Sequence, residues 1–270
     1  MSKFYVIGNP IKQSKSPLLF NYIFKKLNIQ QSYTGHYINK ASDLSNFIDS
    51  CKKNNTIGIN VTMPYKKSIC KFATHYDQTV EITKTSNCLH FKNNDIIAYN
   101  NDSYGFSKLA EFNNIDFSKS NNIIIGNGGA ARSIALSLIQ SKAKAIYILA
   151  RNKEETDRLI SDFSIIKNIT ILSELSQNSI LTNCNLINCS PIGMLKKTNT
   201  DILNFIPRIN YHSVIDINYN VNHNYFNFKA QNKIIGDTMF IFQALKALDI
   251  WFESNISDKL SYKELEKIVC

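Results

Sequence analysis

The sequence predicts an α/β protein of two domains, and three observations carry that prediction. Short β-branched apolar runs alternate with stretches of helical periodicity along most of the 270 residues. Asn122–Ile139 reads NIIIGNGGAARSIALSLI, an apolar run, a glycine turn and a helical pattern in that order. Upstream of it, residues 1 to about 100 already hold enough strands and helices for an α/β unit of their own.

Taken in order, Phe4–Ile7 is a short buried strand that ends in the turn Gly8-Asn9-Pro10. Ser16-Pro17 opens a helix, with serine as its cap and proline in its first turn. Leu18, Leu19, Tyr22, Ile23 and Leu27 give it an apolar face. A strand follows near Tyr33–Ile38. A helix around Asp43–Lys53 carries Leu44, Phe47, Ile48 and Cys51 at helical spacing. Ile57–Val61 is the next strand and runs into Thr62-Met63-Pro64-Tyr65-Lys66. Thr85–Phe91 and Ile96–Asn100 form a hairpin across Asn93-Asn94-Asp95. A helix and loop over 104–120 connect to the second domain. From Asn122 the pattern is strand, helix, strand (Ala145–Leu149) and helix (Lys153–Phe163). Strands near Ile169 and Leu186, at Val214–Ile217 and at Lys233–Ile235 complete a parallel sheet. Two helices, Met239–Phe252 and Tyr262–Val269, end the chain and are expected to pack back on the first domain. The domains are therefore 1–103 with 237–270, and 104–236.

The spacing Gly126-x-Gly128-x-x-Ala131, between a strand and a helix, fits the fingerprint of a dinucleotide-binding, Rossmann-like domain. Gly126 allows the tight turn, Gly128 admits a pyrophosphate close to the backbone, and Ala131 lets the helix approach the strand. The phosphates meet free N–H groups at the helix start. An ordinary βα turn would show the same glycines, so the context carries the reading. NAD binders usually place a carboxylate at the end of the second strand. Here that strand ends Leu149-Ala150-Arg151-Asn152-Lys153, with two cations and no carboxylate. A 2′-phosphate, and hence NADP, fits better, although Arg151 alone would also pass as a solvated strand-end charge.

Composition narrows the class. A chain with 44% hydrophobic and 19% charged residues can bury a sizeable core. No apolar run approaches the ~18 residues of a membrane span, and MSKFYVIGNP is not a signal peptide. A soluble cytoplasmic protein is expected. Cys51, Cys70, Cys88, Cys184, Cys189 and Cys270 make no C-x-x-C pair, so neither a metal site nor a disulfide is expected. The net charge of +10 comes from 27 lysines and four arginines spread along the chain. A nucleic-acid surface needs clustering. A mild positive field that draws in an anionic substrate and cofactor fits the spread at least as well.

Three polar stretches follow strands of the first domain: Asn9–Pro17, Asn60–Lys66 and Asn100–Asp102. Ligands in open α/β sheets collect at the carboxyl ends of strands. Hydroxyls, amides, a lysine and a carboxylate suit a small polyhydroxylated acid. Ser14 and Ser16 offer hydroxyls for a carboxylate; Asn60, Thr62 and Asp102 offer partners for ring hydroxyls. Blander roles stay open: Ser16 as a helix cap, Asn60 as a turn residue, Lys66 as one more surface lysine.

Over nearly its whole length the chain resembles the shikimate dehydrogenase family. The likeness runs through GNPIKQSKSP (Gly8–Pro17), GINVTMPYKK (Gly58–Lys67), SNC (Ser86–Cys88), NND (Asn100–Asp102), GNGGAAR (Gly126–Arg132), NCSPIGM (Asn188–Met194), DINY (Asp216–Tyr219) and GDTMFIFQA (Gly236–Ala244). It implies reversible, NADP-dependent reduction of 3-dehydroshikimate to shikimate, a step of aromatic amino-acid biosynthesis. Carried over by position, Ser14 and Ser16 hold the substrate carboxylate. Asn60, Thr62, Asn87, Asp102 and Gln243 hold its hydroxyls, and Tyr219 lines the substrate side. Lys66 and Asp102 are the catalytic pair. Gly126, Asn127, Gly128, Gly129, Ala130 and Ala131 carry the pyrophosphate, and Ala150, Arg151, Asn152 and Lys153 face the 2′-phosphate. Ile217 and Gly236 also bind the cofactor, and Met239 lies near the nicotinamide. The resemblance also implies a cleft that closes by hinge motion.

The chemistry fits those roles. Hydride adds to a carbonyl carbon, and the oxygen gains charge and then a proton. A lysine ammonium beside that oxygen serves both needs, and a carboxylate orients it. The family usually has threonine where Cys88 and Asn101 stand, glycine at Ser103, and asparagine-arginine-threonine where this chain has Ala150-Arg151-Asn152. Alternatives are a quinate/shikimate dehydrogenase that uses NAD, a non-catalytic metabolite-binding relative, and a basic nucleic-acid binder. The partner expected is a small molecule, neither nucleic acid nor membrane, with the chain a monomer or homodimer.

Overall fold

The computed structural model describes residues 3–164, 166, 171–172, 183–194, 201–219 and 226–269. Two compact units divide the chain: Met1–Gly105 with Ile241–Cys270, and Phe106–Phe240.

The first unit is built on a mixed six-stranded sheet. Its elements are β1 (Lys3–Gly8), α1 (Ser16–Lys26), β2 (Ser32–Tyr37), α2 (Leu44–Lys53), β3 (Thr56–Val61), β4 (His75–Tyr76), α3 (Gln78–Thr83), β5 (Cys88–Lys92) and β6 (Asp95–Tyr99). Helix α4 (Asp102–Phe112) starts in this unit and leads into the next. Strand order is β2-β1-β3-β5-β6-β4. β1 pairs in parallel with β2 and β3, while β5 is antiparallel to β3 and β6. The carboxyl ends of β1 and β3 therefore lie side by side, so their loops share one edge of the sheet. The expected hairpin is present, its turn allowed by Asn93 at φ 55°.

Two short elements escape the sequence reading. β4 has two residues and α3 has six, too few for a periodicity to register. Asp77 fixes the start of α3, its Oδ1 accepting from the Val80 N–H at 2.9 Å. The start of α1 corrects the sequence reading. Ser16 is the first helical residue, Lys15 occupies the cap position, and no side chain caps the helix. A residue already inside the helix cannot reach forward to the N–H groups a cap satisfies. Instead Ser14 Oγ accepts from the Ser16 N–H at 3.3 Å.

Two terminal helices, α7 (Asp237–Phe252) and α8 (Tyr262–Val269), complete the chain. From Ile241 onward they belong to the first unit. Trp251 of α7 is the centre of one core layer. Its ring lies 5.1 Å from Phe4, 5.3 Å from Phe20 and 6.2 Å from Tyr33, and its Nε1–H donates to the Leu89 carbonyl at 2.9 Å. A Cβ on Gly58 of β3 would lie 2.2 Å from the indole, so only glycine lets the ring settle against the strand. Ile7, Leu44, Ile48, Ile59, Val61 and Leu89 belong to a second apolar cluster, which includes the face of α2.

The second unit is a parallel sheet in the order β12-β11-β10-β7-β8-β9. Its strands are β7 (Asn121–Ile125), β8 (Ala145–Leu149), β9 (Ile171–Leu172), β10 (Cys184–Asn188), β11 (Tyr211–Asp216) and β12 (Ala230–Ile235), with α5 (Gly129–Gln140) and α6 (Lys153–Phe163) as connecting helices. The strand expected near Ile169 falls on a position outside the described residues. Every described pairing in this sheet is parallel. The order reverses at β7, between β8 and β10, which is where such sheets bind ligands.

Burial pushes the Cys51 and Cys70 thiols up to about 11 and Cys184 to about 12, and it raises fully buried Cys88 further. The thiolate is the reactive form. A disulfide reagent at neutral pH should therefore leave Cys51, Cys88 and Cys184 unlabelled in the native protein and label all three after denaturation. Fast native labelling of any of them would contradict this packing.

Candidate active site

The loops after β1 and β3 are laced together by backbone bonds. Thr62 N–H donates to the Ile7 carbonyl at 2.9 Å, and Asn9 N–H to the Met63 carbonyl at 3.0 Å. Cis peptides precede Pro10 and Pro64 in the same two loops. Ser14 stands in the first loop, Ser16 opens α1 directly after it, and Thr62 stands in the second loop. Between the serines, the Lys15 ammonium donates to the Val269 carbonyl, the last turn of α8. That contact suits a cation at a helix C-terminus and ties the serine loop to the end of the chain.

Asn60, one residue before the end of β3, is buried. Its Oδ1 accepts from the Tyr33 hydroxyl at 2.6 Å, and its Nδ2–H donates to the Asn87 carbonyl at 3.3 Å. Tyr33 is a positioning residue the sequence reading missed. A lone buried tyrosine in the polar strand SYTGHY carries no mark that separates it from ordinary core.

The centre of the first unit's polar edge is Asp102. The Lys66 ammonium donates to its Oδ2 at 2.5 Å, and Asn87 Nδ2–H to its Oδ1 at 2.7 Å. The two charged side chains are 17% and 7% exposed, so this pair is largely withdrawn from water. Asn87 also donates to Gln243 Oε1 on α7 at 3.3 Å and accepts from the Asn101 N–H at 2.8 Å. Asn100 supports the carboxylate from below: its Oδ1 accepts from the Asp102 N–H at 3.2 Å, and its amide donates to Thr85 Oγ1 at 2.9 Å. Asp102 is the first residue of α4, where the helix dipole favours an anion. The Ser86 N–H donates to the Lys66 carbonyl at 2.8 Å, which joins the lysine loop to the segment that carries Asn87 into β5. Lys66, Asp102, Asn87 and Gln243 thus form one hydrogen-bonded network, with Asn60 attached through the Asn87 backbone.

In the second unit, Gly126 turns the chain at φ +105°, and its N–H donates to the Leu149 carbonyl at 2.8 Å. A Cβ on Gly128 would meet nothing within 4 Å, so the backbone is open on that side. Helix α5 begins at Gly129, its first N–H groups without intrahelical partners, while Ala131 is buried against the sheet. An open backbone at a helix N-terminus fits a pyrophosphate. Arg151, Asn152 and Lys153 are exposed after β8, and Ala150 is partly so. Asn152 Oδ1 accepts from the Glu155 N–H at 3.0 Å and so caps α6. The Asn127 amide donates to the Asn152 carbonyl at 2.8 Å. Ile217 N–H donates to the Asn188 carbonyl at 3.2 Å, and Gly236 lies against the Ile217 carbonyl. Tyr219 packs on Phe240 with ring centroids 4.4 Å apart, beside buried Met239 on α7. Among the described residues no group of His, Cys, Asp or Glu is arranged to hold a metal, and no helix is long and apolar enough to cross a membrane.

The family model described as the shikimate dehydrogenase substrate binding domain matches residues 6–89. Shikimate dehydrogenase (NADP(+)) of Clostridium beijerinckii is 31% identical over 273 residues, covering 96% of this chain and 95% of that protein. The protein of the same description from Clostridium perfringens (strain SM101) is 30% identical over 274 residues, covering 100% and 99%. The crystal structure of shikimate dehydrogenase from Aquifex aeolicus superposes with a TM-score of 0.81 at 23% identity, over 100% of this chain and 97% of that one, and so shares the fold. Likeness of this extent, over nearly the whole of this chain and of each relative, has one reading: the chain belongs to the shikimate dehydrogenase family.

Proposed function

We propose that the protein catalyses the reversible, NADP-dependent reduction of 3-dehydroshikimate to shikimate. The observation that carries this reading is the Lys66–Asp102 pair, held at 2.5 Å in a polar network at the strand ends. NADPH, when bound, supplies the hydride. The chain supplies position and electrostatics. Lys66 acts at the carbonyl oxygen: its ammonium supports the charge that grows there and passes a proton to it. Asp102 takes one of the three ammonium donors and fixes its direction. Asn87 holds the other carboxylate oxygen, so the pair cannot swing as a unit.

Ser14 and Ser16 bind the substrate carboxylate, and Asn60, Thr62, Asn87, Asp102 and Gln243 its hydroxyls. The support for these roles is position: Asn60 is one residue before the end of β3, Ser14 and Thr62 lie in the loops after β1 and β3, Ser16 opens α1, Asp102 follows β6, Asn87 directly precedes β5, and Gln243 joins through Asn87. Gly126–Ala131 receive the pyrophosphate, with Arg151 and Lys153 on the 2′-phosphate. Ile217 and Gly236 are assigned to the cofactor, with Met239 near its nicotinamide. The enzyme acts in the cytoplasm, as a monomer or homodimer.

Nicotinamide reduction followed spectrophotometrically with shikimate or quinate and with NADP+ or NAD+ tests the reading. Shikimate with NADP+ should give the highest kcat/KM, by about tenfold over NAD+, the worth of one charged contact of about 1.4 kcal/mol. Absence of shikimate-dependent reduction would overturn the activity. Equal use of the two dinucleotides would overturn the cofactor assignment.

A further inference from the structure

Asn127 sits inside the glycine turn, where a phosphate contact is the obvious use for its amide. Both amide hydrogens are already committed elsewhere. Nδ2 donates to the Asn152 carbonyl at 2.8 Å and to Thr156 Oγ1 at 3.0 Å. Thr156 is buried, and its hydroxyl donates to the same Asn152 carbonyl at 3.1 Å. An amide nitrogen has two donors, so this geometry leaves neither for a ligand.

The two segments so joined have distinct roles in the cofactor reading, on which this inference rests. One is the turn after β7, where the backbone at Gly128 is open. The other is the corner after β8, where Arg151 and Lys153 stand exposed. A second tie runs between the helices that follow them. Arg132 of α5, itself buried, bonds Asp162 at 2.5 Å and Glu155 at 3.3 Å, both on α6. Arg132 fixes the helices, whereas Asn127 fixes the corner itself, at the residue next to Arg151.

We propose that Asn127 is a positioning residue that sets the distance between the pyrophosphate turn and the Arg151-Asn152-Lys153 corner, and so determines selectivity for NADP over NAD. The two exposed cations are long and flexible. Their hold on a phosphate depends on a fixed base, because side-chain entropy is lost for every contact made from a loose one. Without the Asn127 amide, the Asn152 carbonyl keeps, among the described residues, only donors from within α6, the Thr156 N–H at 3.2 Å and the Thr156 hydroxyl at 3.1 Å, and nothing ties it to the glycine turn.

The test is calorimetric binding of NADP+ and NAD+ to the full chain without substrate. Asn127→Ala should weaken NADP+ about tenfold, as expected for two lost hydrogen bonds, and leave NAD+ within about twofold. Thr156→Val, which removes one of the two acceptors of the Asn127 amide, should give a smaller loss of the same selective kind, about threefold, and serves if Asn127→Ala folds poorly. At saturating NADP+, kcat and KM for shikimate should stay unchanged in Thr156→Val. Equal weakening of the two dinucleotides would mean direct pyrophosphate binding or general loosening of the turn, and would overturn the proposal. A wild-type preference for NADP+ that both variants keep would overturn it alone. No wild-type preference would overturn the cofactor reading as well.

Discussion

Lys66→Ala lowers kcat for shikimate oxidation by about 10²–10⁴-fold, the range for loss of a positioned acid or of a charge that stabilises the reacting oxygen. NADP+ affinity should hold near its original value, because every residue assigned to the cofactor lies elsewhere in the chain. The variant has a second effect that must be separated from the first. Asp102 is 7% exposed, and without the ammonium its Oδ2 loses the charged donor at 2.5 Å. A buried carboxylate left short of a partner destabilises the fold, by about 1–3 kcal/mol or more. Lys66→Ala combined with Asp102→Asn removes that charge. If the rate loss came from instability, kcat of Lys66→Ala should return to the wild-type value at temperatures where circular dichroism shows the variant folded, and the double variant serves only to confirm that the buried charge is the source of the lost stability. The role proposed here predicts recovered stability and no recovered rate. A Lys66→Ala enzyme that stays within a few-fold of the wild-type kcat would show that the proton and the charge are handled by another group.

Much of this was legible in the sequence, for physical reasons that differ from residue to residue. Gly126 and Gly128 stand out because the chain has only nine glycines and a dinucleotide turn needs them at fixed spacing. Lys66 and Asp102 were readable as types at strand ends and, through the family motifs, as a pair. Their closeness is a property of strand order, since β5 inserts between β3 and β6 and brings Asn87 within reach of Asp102. Tyr33, Lys15 and the side-chain role of Asn127 were not legible. Each acts through a contact with a residue distant in sequence: Asn60, Val269 and Thr156. No periodicity or spacing records such partners. Ser16 was misread as a cap because serine before proline suits both a cap and a first helical residue, and only backbone angles separate the two.

Trp251→Ala should be the most damaging core substitution, at about 3–5 kcal/mol. That corresponds to a fall of roughly 10 °C in the melting transition of the unit that holds it. The indole touches four elements at once: Phe4 on β1, Phe20 on α1, Tyr33 on β2 and, through Nε1, the Leu89 carbonyl on β5. It also shields Gly58, two residues before Asn60 on β3 and hence on the same face. The site feels the loss through Tyr33, which stacks on Phe20 at 4.3 Å and holds Asn60 by its hydroxyl. Below the transition, KM for shikimate should therefore rise more than kcat falls. Gly58→Ala attacks the same contact from the other side, since its methyl would lie 2.2 Å from the ring and must displace it. The two substitutions share one volume, so they should not add. With the indole gone, the Gly58→Ala methyl enters the space the ring vacated, and the double variant should be more stable than the sum of the single losses by at least about 1 kcal/mol. Chemical denaturation of the four proteins measures that coupling. Strict additivity would mean that Trp251 does not pack on Gly58, and the link from this core to Asn60 would fall with it.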